Sequence, residues 1–272
     1  MQPFALNHMA APRLGWQAFA DLAAGLGCVG VEYRNDLGRP LFEGDDPAVV
    51  GAALRQRGLR FLALAEVKMF NDWSDAKRAE AEALMRVAVA AGAEAVSLIP
   101  RNDGVATGKT ERMAALRLAL SELLPLLRAN GLKAMVEPLG FEVCSLRYKA
   151  DAVEVIEELG AGDTYRLVHD TFHHHLAGGG PIFPQHTGIV HVSGVVDQSL
   201  SVSDMRDGHR ELVDADDRLG NVAQIRALQA AGYSGPISYE PFAASVHELR
   251  DPAEALRTSM DFIDRSVASA TV

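Results

Sequence analysis

Cysteine is scarce in this chain of 272 residues: Cys28 and Cys144 are its two, and neither belongs to a C-x-x-C pair. That excludes a disulfide framework and a thiolate metal cluster, and both read as reduced thiols of a cytoplasmic protein. Long apolar runs are lacking as well. No stretch approaches the roughly 20 apolar residues that a membrane span needs. The first eight residues, Met1 to His8, carry neither the basic region nor the apolar stretch of a secretion signal. Positive charge is in deficit, with 26 Lys and Arg against 36 Asp and Glu, a net charge of −10. The basic residues are scattered among acids, so nothing offsets repulsion from a phosphate backbone and nucleic acid is disfavoured as a partner. Aromatics make up only 6% of the chain, so aliphatics and Ala must fill the core that a 48% hydrophobic sequence can build.

What the chain does have is a rhythm of short apolar runs alternating with amphipathic ones. Strands are predicted at 4–7, 28–33, 59–65, 95–99, 132–137, 165–170, 188–193 and 236–240. Helical spacing appears over about 16–26, 47–57, 74–91, 109–129, the stretch ending near 159, 221–231 and 252–267. The unit after the sixth strand is the weakest, and Pro125 inside the fourth helix should kink it. Strand-then-helix alternation predicts right-handed βαβ units and a parallel sheet. Eight repeats in this length fit an α/β fold closed as one (β/α)8 (TIM) barrel spanning 1–272 better than an open doubly wound sheet. The Gly-rich loop that a dinucleotide fold places after its first strand is missing.

In such a barrel the chemistry sits at the C-terminal ends of the strands. There the fifth strand ends in Glu137-Pro138, the sixth in Asp170 and the eighth in Glu240-Pro241, and the seventh carries His191. Any one of these would pass as a rim charge in an ordinary salt bridge. Together, on four consecutive strands, three carboxylates and an imidazole form a hard, oxygen-rich donor set suited to Mn, Mg, Co or Zn. His173, three residues after Asp170, is placed to line the same pocket. Arg210, in a long polar segment over the barrel mouth (197–217), is the residue expected to hold a substrate oxygen. Arg34 is also on the rim, Asn35 is either there or in a turn, and His8 could follow its strand to the rim. His169 alternates with Asp170 and should face the helices. His174 and His175 read as loop surface or helix start, and His209 as a neighbour of Arg210. Gly178-Gly179-Gly180, followed by Pro181, reads as a flexible loop. Ser193 and Cys144 have no base and orienting acid beside them, which leaves no nucleophile.

At these residues the chain resembles the xylose isomerase-like TIM-barrel superfamily. Within it, the segments Val136-Glu137-Pro138-Leu139-Gly140-Phe141, Asp170-Thr171-Phe172-His173-His174, His191-Val192-Ser193-Gly194-Val195 and Tyr239-Glu240-Pro241-Phe242 are most similar to the inosose (2-keto-myo-inositol) isomerases, and Glu32-Tyr33-Arg34-Asn35-Asp36-Leu37 adds to the likeness. Many relatives carry a charged residue after the strand-seven His, where Ser193 and Gly194 stand here. The resemblance implies one divalent ion held by Glu137, Asp170, His191 and Glu240. It implies proton transfer by Glu137 and Glu240 through a cis-enediolate, with His173, Arg210 and Arg34 on a polyol or ketose substrate. An inosose or 3-dehydroshikimate-type dehydratase, an endonuclease IV-like nuclease and a non-catalytic sugar-binding barrel are the alternatives. Assembly as a homo-oligomer is left open.

Overall fold

The computed structural model describes residues 1–105 and 108–269. Eight parallel strands close into a barrel in chain order: β1 (Phe4–Asn7), β2 (Gly30–Arg34), β3 (Arg60–Lys68), β4 (Ala95–Ile99), β5 (Lys133–Val136), β6 (Tyr165–Asp170), β7 (Thr187–Val192) and β8 (Ile237–Tyr239), with β8 paired to β1. Helices α1 (Trp16–Gly25), α2 (Pro47–Gln56), α3 (Asp75–Ala91), α4 (Lys109–Asn130), α5 (Lys149–Glu158), α6 (Thr171–Leu176), α7 (Asn221–Ala230), α8 (Ala244–His247) and α9 (Pro252–Ala268) cover the outside. None of the described helices is long and apolar enough to cross a membrane.

Local chemistry sets the helix ends. Asp46, Ser74 and Asp251 accept N–H bonds at the starts of α2, α3 and α9, and Pro47 and Pro252 occupy first-turn positions where no N–H is needed. Gly92 and Gly131 end α3 and α4 in the left-handed region that side chains avoid. α4 continues through Pro125 as one helix.

The barrel has two apolar layers. The larger packs helices against the outward residues of the strands, and includes Leu6, Val31, Leu64, Val96, Val136, Leu167 and Val190. The smaller, made by Ala5, Leu62, Ala63, Ala95, Met135, Val168 and Ile189, fills the inside. Because side chains alternate along a strand, two steps toward the C-terminal end from this inner layer lead from Met135 to Glu137, from Val168 to Asp170 and from Ile189 to His191. The apolar floor and the polar rim are therefore one face of the same strands.

Three elements differ from the sequence expectation. β3 runs to Lys68 and not to 65, so Glu66 lies within the strand. The weak unit after β6 holds a short helix, α6, followed by coil, and α8 was not foreseen. Both cysteines are free and buried, and burial pushes the thiols up to about 12 for Cys28 and about 11 for Cys144.

Candidate metal centre

Strand register brings the four expected residues together. Asp170 pairs with His191 across β6 and β7, and His191 pairs with Ser238 across β7 and β8, two residues before Glu240. Glu137 follows Val136, which pairs with Leu167. One donor atom from each of Glu137, Asp170, His191 and Glu240 lies within 4.8 Å of the others, and all four residues are buried. The His191 ring is fixed from below. Its Nε2 lies 3.1 Å from both oxygens of Glu32, and Glu32 also accepts from Ser238 Oγ at 2.6 Å. Nδ1 then points up at the carboxylates, 3.2 Å from Glu240 and 3.7 Å from Glu137, without a well-formed hydrogen bond.

Two buried guanidiniums brace the acids. Arg210 Nη2 bridges Asp170 at 2.6 Å and Glu240 at 3.0 Å. Arg34 Nη1 donates to the other Glu240 oxygen at 2.8 Å, as does Asn7 Nδ2 at 3.1 Å. Arg34 also holds Asp36 at 2.7 Å and reaches Glu66 at 3.4 Å. Arg210 is sandwiched between the rings of Phe172 and Phe242, with its Cζ 5.1 and 4.6 Å from their centroids. Its Nε donates to Ser193 Oγ at 3.0 Å, and Gly194 bridges to Glu211 so closely that a Cβ would meet Leu212 O at 2.8 Å. The Ser193-Gly194 pair thus seats the segment that delivers Arg210.

The electrostatics are uneven. Burial raises Glu137 to about 7, with Glu240 adding to the rise and His191 opposing it. Burial works the same way on Glu240, but His191, Arg210 and Arg34 overcome it and hold that carboxyl well below its ordinary value. Asp170 is likewise lowered, because Arg210 and His173 outweigh its burial. His191 is held well above its ordinary value against burial by Glu32 and Glu240. Among the described residues, the five buried carboxylates Glu32, Glu66, Glu137, Asp170 and Glu240 have Arg34 and Arg210 as their buried guanidinium partners. An excess of buried negative charge, oxygen donors and an imidazole nitrogen turned inward by a carboxylate on its far side together fit a hard divalent ion.

His173 sits beside this cluster. Its backbone N–H donates to Asp170 Oδ1 at 2.9 Å, its ring packs edge-on against Phe141 and Phe172, and its Nδ1 is buried without a partner. It lines a cavity of about 380 Å³ over the cluster, together with Arg34, Glu66, Glu137, Arg210 and Glu240. Burial raises Glu66 to about 7 despite Arg34.

The remaining expectations divide. His169 does face the helices, 2.9 Å from Gln224 of α7. His8 does not reach the rim: it stacks on Phe19 at 4.3 Å and bonds Leu14 O, because the 3-10 turn after β1 rolls it under α1. Asn35 is a turn residue whose amide pairs with the backbone of Glu66. His209 accepts from Arg206 N and stays out of the cluster. His174 and His175 belong to α6. Glu32, Asn7, Ser238 and Glu66 were missed. For Glu32 a signal existed, since it lies two residues before Arg34 and so on the same face of β2.

Comparison with known proteins follows the same lines. The xylose isomerase-like TIM barrel profile matches residues 20–266. A xylose isomerase domain-containing protein from Salmonella typhimurium LT2 is 30% identical with a TM-score of 0.85, over 98% of this chain and 96% of that one. The IolI protein, solved with a zinc atom, is 19% identical with a TM-score of 0.88, covering 98% of both chains. D-psicose 3-epimerase from Clostridium cellulolyticum H10, solved with D-tagatose, is 14% identical with a TM-score of 0.74, over 98% of this chain and 99% of that one. Curated proteins gave no match. With the closed barrel, the profile over most of its length and this rim, the chain belongs to the xylose isomerase-like TIM barrel family.

Proposed function

We propose that the chain is a divalent-metal-dependent isomerase or epimerase of a ketose or keto-polyol, with 2-keto-myo-inositol (inosose) as the substrate its sequence favours. One observation carries the metal half of this reading: His191 turns an unsatisfied Nδ1 toward three carboxylates while Glu32 occupies its other nitrogen. Glu137, Asp170, His191 and Glu240 would hold the ion, which when bound supplies Lewis acidity toward the oxygens of an α-hydroxyketone.

The two glutamates are not equivalent in what surrounds them. Both oxygens of Glu240 are occupied by Arg34, Asn7 and Arg210. Glu137 has His191 at 3.7 Å as its ion-pair partner among the described residues. Glu137 is therefore the freer base, and we assign it removal of the proton from the carbon beside the carbonyl. Glu240, or Glu137 itself, returns a proton at the adjacent carbon. Arg210 and Arg34 lie at the cavity where negative charge develops on the enediolate oxygens. His173, which lines the cavity, would hold a hydroxyl with its ring. Phe141 and Phe242 line the same cavity and limit water there.

Incubating metal-loaded protein with inosose in D₂O and following it by NMR tests the proposal. Deuterium entering at the carbons flanking the carbonyl, with formation of the isomer, is the expected result. A substrate that remains fully protonated and unconverted would refute it.

A further inference from the structure

A second cavity, of about 460 Å³, lies behind His173 and outside the metal cluster, between the start of α5 and the Gly178-Gly179-Gly180 turn. Lys149, Arg147 and His174 line it. Lys149 is nine-tenths buried, and Asp170, the carboxylate that acts on it, is not within ion-pair distance. Its Nζ instead donates to His174 Nδ1 at 2.8 Å, so one basic group rests on another and two ammonium hydrogens are left over. The acid lining the cavity, Asp151, pairs with Lys109 at 3.6 Å.

The backbone adds to this positive wall. Tyr148 gives α5 no side-chain cap, Asp151 N–H turns back to Tyr148 O, and the first two residues of this ten-residue helix, Lys149 and Ala150, line the cavity, so the positive end of α5 lies at it. On the opposite side the three glycines all have positive φ, of 85, 79 and 104°. The N–H groups of Gly178 and Gly179 turn back to His175 O and His174 O. The wall shared with the metal-side cavity is His173, whose buried Nδ1 lacks a partner. The carboxylate that acts on Lys149, Asp170, stays beyond ion-pair distance and is held by Arg210, and a buried ammonium whose counter-charge is so placed is costly. Burial has already lowered Lys149 to about 7.

From this geometry we infer that the Lys149 cavity is a binding site for the anionic group, phosphoryl or carboxylate, of a small metabolite. The anion would take the free hydrogens of Lys149 and lie at the positive end of α5. It would be separated from the metal-side cavity by the His173 ring. The inference does not depend on the reaction proposed above.

Inorganic phosphate and acetate serve as probes of the two chemistries. Metal-loaded protein is titrated with each, following the melting temperature and the rate at which a lysine-acylating reagent labels Lys149, read by peptide mass spectrometry. At least one probe should raise the melting temperature saturably and slow labelling of Lys149 several-fold, and Lys149→Met should abolish the thermal response without changing metal content. The stronger probe identifies the anion class. Labelling of wild-type Lys149 that neither probe slows overturns the site, a reading available even if Lys149→Met fails to fold. A thermal response of equal size in Lys149→Met overturns it as well.

Discussion

His191 is held by opposite demands on its two nitrogens. Glu32 and Ser238 make a buried acceptor below Nε2, and the ring can then present Nδ1 only upward, to Glu137 and Glu240. Glu32→Gln keeps the shape but exchanges one acceptor oxygen for a donor, so the ring loses its preferred tautomer. Metal affinity should fall by about 10–100-fold, as is typical when the partner of a ligating histidine is lost. Competition with a chromophoric chelator measures this, and an unchanged affinity would show that Glu32 does not orient the ring. Arg210 is the other residue on which several depend. Removing it by Arg210→Met leaves Asp170 and Glu240 short of a cation they both use, and should cost the metal-free protein about 3–5 kcal/mol in urea unfolding. Added divalent ion should recover part of that loss.

At the scale of elements, α6 matters more than its six residues suggest. It starts at Asp170, whose carboxylate caps it through His173 N, and so ties His173 to the cluster. It also packs against Gly140, where a Cβ would come within 2.2 Å of His173 O and 2.6 Å of Leu176 Cβ. Gly140→Ala should therefore push α6 outward, destabilise the protein by about 1–3 kcal/mol, and raise KM more than it lowers kcat. A melting curve together with steady-state kinetics separates the two effects. Little of this was legible in the sequence. Asp170 and His173 could be placed from the D-x-x-H spacing, but whether the turn after β6 was coil or helix was not, because Thr171–Leu176 is too short to show a periodicity. Glu66 was hidden for a related reason. β3 was expected to stop at 65, since its apolar run ends there, whereas the strand continues through Glu66 to Lys68 and turns that carboxylate into the cavity. His8 went astray because a strand pattern predicts direction only until the strand ends, and a 3-10 turn begins at His8 itself.

Across the whole molecule, the alternation of eight strands with helices was the readable part, because parity along each strand couples the apolar floor to the polar rim. Glu137, Asp170, His191 and Glu240 were legible as polar residues on the C-terminal ends of consecutive strands, and parity applied back from Arg34 on β2 would have located Glu32. What sequence order does not contain is which strands face one another across the barrel, and the Glu32 to His191 contact spans β2 to β7. The assembled charge has a consequence for pH. Glu137 and Glu66 are raised to about 7, so relative to the unfolded chain they bind protons more tightly when folded. Their contribution to stability is full below the ordinary carboxylate range and is lost as pH climbs from there to about 7. Asp170 and Glu240 have the opposite sign, contributing above that range and losing their contribution as pH falls below it. A divalent ion would favour the ionised carboxylates and the unprotonated His191, so the rise in melting temperature on adding Mn²⁺ or Zn²⁺ should grow between about pH 5 and 7. A thermal shift that is flat or shrinks across that interval would count against ion binding by these groups.

The most direct test of the four-strand centre is metal content by elemental analysis after dialysis against Mn²⁺ or Zn²⁺, on wild-type protein and on Asp170→Asn and His191→Ala. One tightly held ion per chain in the wild type, lost or greatly weakened in both variants while circular dichroism shows the barrel intact, is the predicted result. A wild-type chain that retains no ion, or folded variants that retain as much as the wild type, would contradict it.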